Sequence, residues 1–472
     1  MIRIQSVTAA MLLLILTGCS TVAVKSVFVG YDQQLQSTRQ LAWQGQFDAA
    51  AQSIELGPVD SRNHILQLLQ QGRALFLAQD FEASLTRFQQ AAQVLAQLDR
   101  QAQYRLSQGV NLAATTVTND NLIPYELPDY ERTMLHHYLA INYLALSRVE
   151  PALVEVRKAR QAQLMAAQKR QDELRQAANE AAEQGVIPDV NAAFNGYPDM
   201  SGLIGNVKNG YQNAYTFYVS ALLYELVDEP NAAYIDYKKA LEIAPDNRYI
   251  QQRLLVLAKR LGMTQDLAMY QKLFTQFDSH SAQDGRVVIL IEQDLVAAKQ
   301  DMHLPIPIRS SDGYYGVFNV AVPVYNQAPR RAAPLSIYQG NTLVAHSAEI
   351  TGITNLAAKQ LQEDMPAMLV RQAIRVYTKE MVRKNVADSA GDWGNLLVNL
   401  YNTLSETADT RSWSLLPGNV QVMDLSLGSG EQSLELRQGA SRLPLNIAVA
   451  PGQTRLLLVT SMAGKLYLSA SN

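Results

Sequence analysis

The chain has 472 residues, which is too long for a single compact core and favours two or three domains. Its hydrophobic content of 48% is ordinary for a globular protein, and its formal net charge at pH 7 is -3. Without an excess of lysine and arginine, neither a nucleic-acid partner nor polybasic attachment to anionic lipid is expected.

Residues 1–18 have the features of a secretory signal peptide. A positively charged start precedes an apolar run over residues 9–16, which is too short for a bilayer that needs about 20 residues. The sequence LTGC at residues 16–19 has the form of a bacterial lipobox. Its cysteine is the only one in the chain, which also excludes an intrachain disulfide. We therefore predict signal removal, lipid attachment to Cys19 and a short tether over residues 19–30.

The residue after the lipobox cysteine predicts the final membrane. Ser20 occupies this position, and by analogy with enteric lipoproteins a residue other than aspartate there implies sorting to the outer membrane. A tether of about a dozen residues spans at most roughly 40 Å. We therefore expect the protein to be lipid-anchored at the periplasmic face of the outer membrane, with its first domain close to the bilayer.

Residues 31–280 are predicted to form helix hairpins of the tetratricopeptide repeat (TPR) type. The sequence WQGQFDAA at 43–50 is followed 34 residues later by LAQDFEAS at 77–84, and this spacing is the TPR period. In a later unit, small residues allow two helices to approach, aromatic residues fill the space between them, and a proline ends the second helix. The residues in these roles are Ala221, Tyr224, Ala233, Tyr237, Ala240 and Pro245. An irregular helical bundle is the alternative.

A third repeat unit leads into an unusually long helix. Residues 136–159 fit the repeat, with Ala140, Tyr143, Ala152, Val156 and Ala159 in the same roles. The helix predicted near 151–183 would be about 50 Å long and carries few apolar residues. So polar a helix is either a solvated projection or a strut whose packing partner lies elsewhere, and we favour the strut.

Residues 284–472 have the texture of a β-rich domain. Short alternating or β-branched runs are separated by Gly, Pro, Asn and Ser, and they predict an antiparallel sheet or sandwich of about eight strands. Gly-Asn at 340–341 and Gly-Ser-Gly at 428–430 are hairpin signals. Residues 355–410 are predicted to be an α-helical insert of two helices. The predicted fold class is multidomain, with an all-α TPR-like N-terminal half and an α+β C-terminal half.

Sequence motifs for chemistry are absent. The chain has no HExxH, no GxSxG and no glycine-rich phosphate loop after a strand. His136 and His137 are adjacent, so on a helix they point about 100° apart and cannot share one metal. We therefore expect no metal, no cofactor and no enzymatic activity.

The segment ETADTRSWSLLP at 406–417 allows two interpretations. Glu406 or Asp409 could act as a base in a catalytic turn directed at glycan or peptidoglycan. Alternatively, the segment is a structural junction in which Asp409 pairs with Arg411 and Trp413 fills the space between helices and sheet. We favour the junction, because a buried ion pair beside an aromatic plug is the commoner arrangement.

The groove of the repeat array is expected to bind a peptide or helix of another envelope protein through exposed polar and aromatic side chains on its inner helices, and the β-rich domain would dock a second partner. Residues 371–383 also carry a basic stripe at four-residue spacing, which would either bind an acidic partner or be solvated. The stripe consists of Arg371, Arg375, Lys379 and Arg383. The candidate partner-binding residues are Tyr224, Tyr237, Arg371, Arg375 and Arg411.

Several segments resemble those of proteobacterial outer-membrane lipoproteins that combine TPR-like helices with a C-terminal β-rich domain. They are DYERTMLHHYLAINYL (129–144), ALVEVRKAR (152–160), NAYTFYVSALLYE (213–225), GRVVILIEQDLVAAK (285–299), VAVPVY (320–325), and ADTRSW with LLP (408–417). Asp294 and the Ala297-Ala298 pair depart from the glycine and proline expected before Lys299 in this pattern. The resemblance implies no activity.

The function predicted from the sequence is that of a periplasm-facing scaffold or regulator in envelope assembly. It would contact the bilayer through lipidated Cys19 and bind one or more envelope proteins. The alternatives are a glycan- or peptidoglycan-acting enzyme and a structural subunit of an outer-membrane surface assembly.

Overall fold

The computed structural model describes residues 31–107, 123–274, 284–311, 313–328, 332–405 and 407–471. The predicted signal peptide, Cys19 and Glu406 lie outside these residues. The helices are α1 Tyr31–Gln34, α2 Gln36–Trp43, α3 Phe47–Gln52, α4 His64–Leu77, α5 Phe81–Ser107, α6 Asp129–Ala145, α7 Val149–Glu183, α8 Val190–Asn195, α9 Ser201–Ile204, α10 Ala214–Leu226, α11 Pro230–Ile243, α12 Arg248–Arg260, α13 Thr264–Leu273 and α14 Ile353–Ser405.

The strands follow the same numbering in chain order. They are β1 Val186–Pro188, β2 Asp284–Gln293, β3 Gln300–Ser310, β4 Tyr315–Val324, β5 Ser336–Gln339, β6 Thr342–His346, β7 Ala348–Gly352, β8 Asn419–Gly428, β9 Gly430–Gln438, β10 Ser441–Val449, β11 Thr454–Met462 and β12 Lys465–Ser471.

Within the described chain, five helix hairpins share the same turn. They are α2–α3, α4–α5, α6–α7, α10–α11 and α12–α13. One residue in each turn has a positive φ, between 58° and 79°: Gly45, Gln79, Ser147, Asp228 and Gly262. The second helix begins two residues later in every case. The identical turn makes the hairpins equivalent units, and Gly45 and Gln79, like Asp228 and Gly262, are 34 residues apart as the TPR period requires.

Hydrogen bonding in these turns follows the Schellman pattern. In the first turn the amide of Gly45 donates to the carbonyl of Ala42 over 2.9 Å, and the amide of Gln46 donates to that of Leu41 over 2.9 Å. The other four turns form the same two bonds. The αL residue therefore satisfies carbonyls at the end of the first helix and starts the second helix at a fixed angle.

The strands form three sheets and confirm the β-rich C-terminal half. The strand orders are β1-β3-β4, β10-β9-β5-β6 and β12-β11-β2-β8-β7. All strand pairs are antiparallel except β2 with β11. The turn at 340–341 joins the paired strands β5 and β6 as predicted, whereas the prediction for 428–430 is wrong because β8 and β9 lie in different sheets. Gly430 has a φ of 110°, and the chain changes sheets there.

The helical insert also differs from the sequence prediction. α14 is one helix from Ile353 to Ser405, with Pro366 inside it, instead of two helices. A glycine within a helix costs only about 1 kcal/mol, so the glycines at 391 and 394 need not end it.

The two predicted domains share one hydrophobic core. Buried residues of α4–α7 and α10–α13 pack in the same contiguous cluster as those of β2, β8 and α14. The short strand β1, from the helical half, pairs with β3. The polar helix α7 buries Ala177 and Ala181 near its end, and its Arg170 pairs with Glu363 of α14. This packing agrees with the strut interpretation, and the division near residue 280 does not separate two cores.

Candidate functional site in the groove of the repeat array

The first helix of each hairpin faces the β-rich half of the chain. On α2, Arg39 donates to the carbonyl of Val296 over 2.9 Å. At the other end of the array, Asn247, the N-cap residue of α12, donates to the carbonyl of Glu349 over 2.8 Å, and Tyr249 of α12 donates to that of His346. The surface that repeat arrays offer to partners is therefore covered by this chain's own strands.

A buried carboxylate on β2 is the centre of this interface. Glu292 accepts from Arg73 of α4 over 2.6 Å, and from the hydroxyls of Tyr138 of α6 and Tyr215 of α10 over 3.0 Å each. Three hairpins thus converge on one side chain. Burial is the largest single effect and lowers the pKa of Arg73, but the Glu292 carboxylate together with Tyr138 and Tyr215 outweighs it, so this pKa lies above its ordinary value. The guanidinium also lies 4.7 Å from the Tyr138 ring centroid.

Residues 411–416 occupy the groove with an irregular backbone that turns at Ser414 and Leu415. Gln70 of α4 donates to the carbonyl of Ser412 over 2.9 Å and accepts from the amide of Leu415 over 3.0 Å. Glu131 of α6 accepts from the amide of Trp413 over 2.8 Å. Side chains of the first helices therefore satisfy backbone groups of a segment that is in neither a helix nor a sheet.

Trp413 anchors this segment. Its ring is fully buried, with centroid distances of 5.6 Å to Phe88 and 5.7 Å to Tyr138. Beside it, Arg411 pairs with Asp409 at 2.7 Å. Burial raises the pKa of Asp409, but Arg411 outweighs it and holds this pKa below its ordinary value. The structure thus brings Asp409, Arg411 and Trp413 together between helices and strands. Asp409, one of the two carboxylates proposed as a catalytic base, is paired with Arg411.

Glu131 is a buried carboxylate in contact with the 411–416 segment that the sequence analysis did not identify as a site residue. Its carboxylate is buried and also accepts from the hydroxyls of Tyr125 over 2.8 Å and Tyr130 over 2.9 Å. Burial raises its pKa, against the lowering effect of the Trp413 amide and the two hydroxyls. Three donors on one carboxylate explain how it is accommodated in the core. The signal was present in the sequence as a glutamate within the buried face of α6.

A second polar cluster closes the other end of the groove. Arg286 of β2 pairs with Glu225 of α10 at 2.9 Å and with Asp424 of β8 at 2.6 Å. The hydroxyl of Tyr237 donates to Glu225 over 2.7 Å. Because Tyr237 is fully buried and Tyr224 is 5% exposed, neither ring is accessible to a partner. Both aromatic rings are part of the buried packing of the α10–α11 hairpin.

The basic stripe is not presented as predicted. Arg371 is exposed, but Arg375 and Lys379 are only 4% and 6% exposed. Arg383 pairs with Glu380 at 2.7 Å. Arg411, the remaining partner candidate, is also buried. The spacing was correct for one helix face, but Arg375 and Lys379 in the middle of that face pack against the rest of the protein.

The two adjacent histidines have separate environments. His136 Nδ1 lies 2.7 Å from Glu155 Oε2. His137 packs with its ring centroid 4.2 Å from that of Tyr215, and burial, with Arg73 nearby, lowers its pKa to about 3. Among the described residues, no group of three or more His, Cys, Asp or Glu is arranged to hold a metal ion. In the same part of the chain, no helix has the length and apolar character needed to cross a membrane.

Comparisons with known proteins yield structural neighbours built of TPR-like helices. No protein-family model and no curated protein matches the chain. MamA from Desulfovibrio magneticus is similar over 51% of this chain and 89% of its own, with 12% identity and a TM-score of 0.29. A tetratricopeptide repeat protein from Parabacteroides merdae covers 52% and 64% respectively, with 12% identity and a TM-score of 0.27.

A third neighbour was solved with a ligand. The TPR2AB domain of yeast Sti1, in a complex with pHSP90, is similar over 51% of this chain and 88% of its own, with 13% identity and a TM-score of 0.17. At such scores the overall arrangements differ, and no function is transferred. The assignment of TPR-like hairpins rests on the five equivalent turns.

Proposed function

We propose that the protein is a non-enzymatic protein-interaction scaffold or regulator of the bacterial envelope, lipid-anchored at the periplasmic face of the outer membrane. In this proposal the β-rich half is the permanent occupant of the repeat groove. Partners bind to outer surfaces of a body that does not change shape.

The distribution of exposed apolar side chains carries the proposal. Among the residues that the structure describes, most of the large apolar side chains that remain exposed belong to the helical half. They include Tyr104 on α5, Leu164, Met165 and Leu174 on α7, and Leu273 on α13. Single exposed apolar residues are ordinary, but a concentration on one set of helices is typical of a protein-binding surface.

The envelope location is supported by the lipobox at 16–19. The described chain begins at Tyr31, which is buried with its hydroxyl near Gln70 and Arg411. A tether of residues 19–30 would therefore hold the body close to the bilayer at that end of the array.

Fractionation and crosslinking in intact cells test the two parts separately. The wild-type chain should be recovered with outer membranes, and Cys19→Ala should remain unprocessed or lose that association. Photocrosslinkers placed at exposed positions of α5, α7 and α13 should capture defined envelope proteins, whereas crosslinkers at exposed positions of β10 serve as the control. Unchanged processing of Cys19→Ala would contradict the anchor, and no specific capture from any helix would contradict the scaffold.

A further inference from the structure

The last three hairpins carry a repeated surface pattern on their second helices. Because the turns are equivalent, positions can be compared by counting from the αL residue. Seven residues after it lie Val154 of α7, Ile235 of α11 and Met269 of α13. They are 46%, 47% and 45% exposed. Equal exposure at equivalent positions marks a ladder of solvent-facing apolar side chains, which we call the outer ladder.

Each member of the outer ladder has a cation three residues further along. Arg157, Lys238 and Lys272 occupy this position, and a separation of three residues places a pair on one face of a helix. Arg157 and Lys272 are exposed, and the Lys238 side chain is 44% exposed while it pairs with Asp266 at 3.2 Å. The outer face therefore combines an apolar row with a parallel basic row.

The first two hairpins lack this pattern. The equivalent positions hold Gln52, the last residue of α3, with Glu55 beyond the end of that helix, and Thr86 and Gln89 on α5. A general requirement of the repeat fold would have affected all five hairpins. The pattern therefore belongs to one end of the array.

The three helices that carry the ladder are neighbours. Arg160 of α7 lies 3.5 Å from Asp236 of α11, and Tyr234 of α11 donates to Asp266 of α13 over 2.6 Å. Packed helices lie about 8–10 Å apart, so the ladder spans roughly 20 Å. An extended segment in the polyproline II conformation rises about 3.1 Å per residue with three residues per turn. About six residues therefore cover that length, and every third side chain lies on the same face.

A groove adjoins the ladder between α11 and α13. Its volume is about 370 Å³, and the charged residues that line it are Lys208, Lys238 and Glu242, two cations and one carboxylate. The apolar and aromatic residues that line it are Leu241, Pro245, Met269, Tyr270, Leu273 and Phe274. A concave apolar site receives protruding side chains, whereas a flat bilayer surface does not enter it.

We propose that the outer ladder and this groove bind an extended, acidic segment of a partner protein that carries apolar residues at about three-residue spacing. Its apolar side chains contact the outer ladder and enter the groove. Its carboxylates lie against the basic row, and this charge complementarity selects acidic segments over basic ones. The inference rests on the proposed scaffold function and assigns it a surface.

A synthetic peptide tests the recognition directly. The probe is a dye-labelled twelve-residue peptide with leucine at every third position and glutamate elsewhere, titrated with the full-length chain in detergent micelles. A peptide with lysine in place of glutamate is the control. We expect saturable binding of the acidic peptide, weakened as salt screens the charges, and at least about tenfold weaker binding of the basic one.

Variants locate the binding surface. Ile235→Ser with Met269→Ser, and separately Lys238→Glu with Lys272→Glu, should each weaken binding of the acidic peptide at least about tenfold. The matched controls Leu164→Ser and Arg175→Glu alter exposed residues of α7 away from the ladder and should bind as wild type. Unchanged melting temperatures will show that all variants fold, as expected for exposed positions.

Two outcomes overturn the inference. One is equal binding of the acidic and basic peptides, or wild-type binding by both ladder variants. The other is ladder-dependent binding to phosphatidylglycerol vesicles without binding of the acidic peptide, which would assign the surface to a membrane. Either result leaves the scaffold proposal standing if crosslinkers elsewhere on the helices still capture envelope proteins, so the two failures are distinguishable.

Discussion

Arg73 of α4 and Glu292 of β2 form an ion pair of 2.6 Å with side chains that are 1% and 0% exposed. The two residues are 219 positions apart and come from the two halves of the chain. Their contact shows why the halves cannot separate easily. Moving them apart would leave two charges without partners in an apolar interface.

Removing one member of this pair should be far more damaging than removing both. Arg73→Met leaves the Glu292 carboxylate buried without its cation, so we expect the free energy of unfolding to fall by about 3–5 kcal/mol. The double variant Arg73→Met, Glu292→Leu should lose less than the single variant, because no unpaired charge remains. Urea unfolding of the four proteins in the cycle measures the coupling. A double variant at least as destabilised as the sum of the singles would contradict this account.

The turn of the α6–α7 hairpin offers a stabilising substitution. Ser147 is exposed with a φ of 58°, a conformation that costs a residue with a Cβ about 1 kcal/mol or more. Ser147→Gly should therefore raise the free energy of unfolding by about 1 kcal/mol, as read from the denaturation midpoint. Ser147→Ala is the control and should give no gain. Gly45→Ala should lose stability, since its Cβ would also clash with the Tyr467 hydroxyl. A loss with Ser147→Gly would mean that the turn conformation is not strained.

The repeat turns show which part of the fold the sequence reveals. The 34-residue spacing identified the first hairpins through apolar and small residues at matching positions. The αL residue itself is glycine at 45 and 262 but Gln79, Ser147 and Asp228 elsewhere. Residue identity there carries little information, because the backbone position is imposed by the two packed helices. Asp294 stands where glycine was expected, and its φ is 54°. The backbone there has the left-handed conformation that glycine adopts most easily.

The short runs from which strands were predicted did not include residues 300–310, which form β3, because Pro305 and Pro307 interrupt that segment. The carbonyl of Pro307 accepts from the amide of Asp189, the residue that follows β1, so the backbone of Pro307 faces the side of β3 on which β1 lies. Alternate residues of an antiparallel strand direct their backbone groups to the same side, so both prolines face this side and not β4. Apart from the three residues of β1, this edge of β3 has no neighbouring strand in the described part of the chain. The prolines therefore cost no hydrogen bond between strands and are tolerated.

The candidate site was only partly predictable for a different reason. Asp409, Arg411 and Trp413 are close in sequence, so their association could be inferred from local chemistry. Glu131 and Glu292 acquire their roles from partners on other elements, and nothing in a single sequence pairs residues so far apart. The partner-binding prediction for Tyr237 failed because a repeat pattern alone does not show whether the chain fills its own groove.

Gln70 should be essential for holding the junction segment. Its amide satisfies both the carbonyl of Ser412 and the amide of Leu415 in a buried site. Gln70→Ala leaves these two groups without a protein partner, so we expect a loss of about 2–4 kcal/mol and faster proteolysis within 408–418. Gln71→Ala is the matched control, because Gln71 donates only to carbonyls of Ala51 and Ile54, and it should lose about 1 kcal/mol. Equal losses and unchanged proteolysis would show that the segment does not depend on Gln70.

The contact between α7 and α14 should make stability depend on pH through Asp364. Burial raises the pKa of Asp364 to about 6, although the Asp364 side chain is 30% exposed and Arg170 lies 3.3 Å from its carboxylate. A raised carboxyl pKa means that the folded state holds this proton more tightly than the unfolded chain does. The stabilisation is therefore fully present below the ordinary pKa near 4 and is lost as the pH rises through about 6.

Asp364→Asn removes this titration. At pH 7 the variant should be more stable than wild type by about 1 kcal/mol, a value reduced from the full shift because solvent reaches the carboxylate. At pH 4 the difference should shrink toward zero. Melting temperatures of both proteins between pH 4 and pH 7 measure it, with Glu363→Gln, which directly loses a strong pair with Arg170, expected to be destabilised throughout. If the wild type instead gained stability relative to Asp364→Asn as the pH rose, the Arg170 interaction would dominate over burial at this contact.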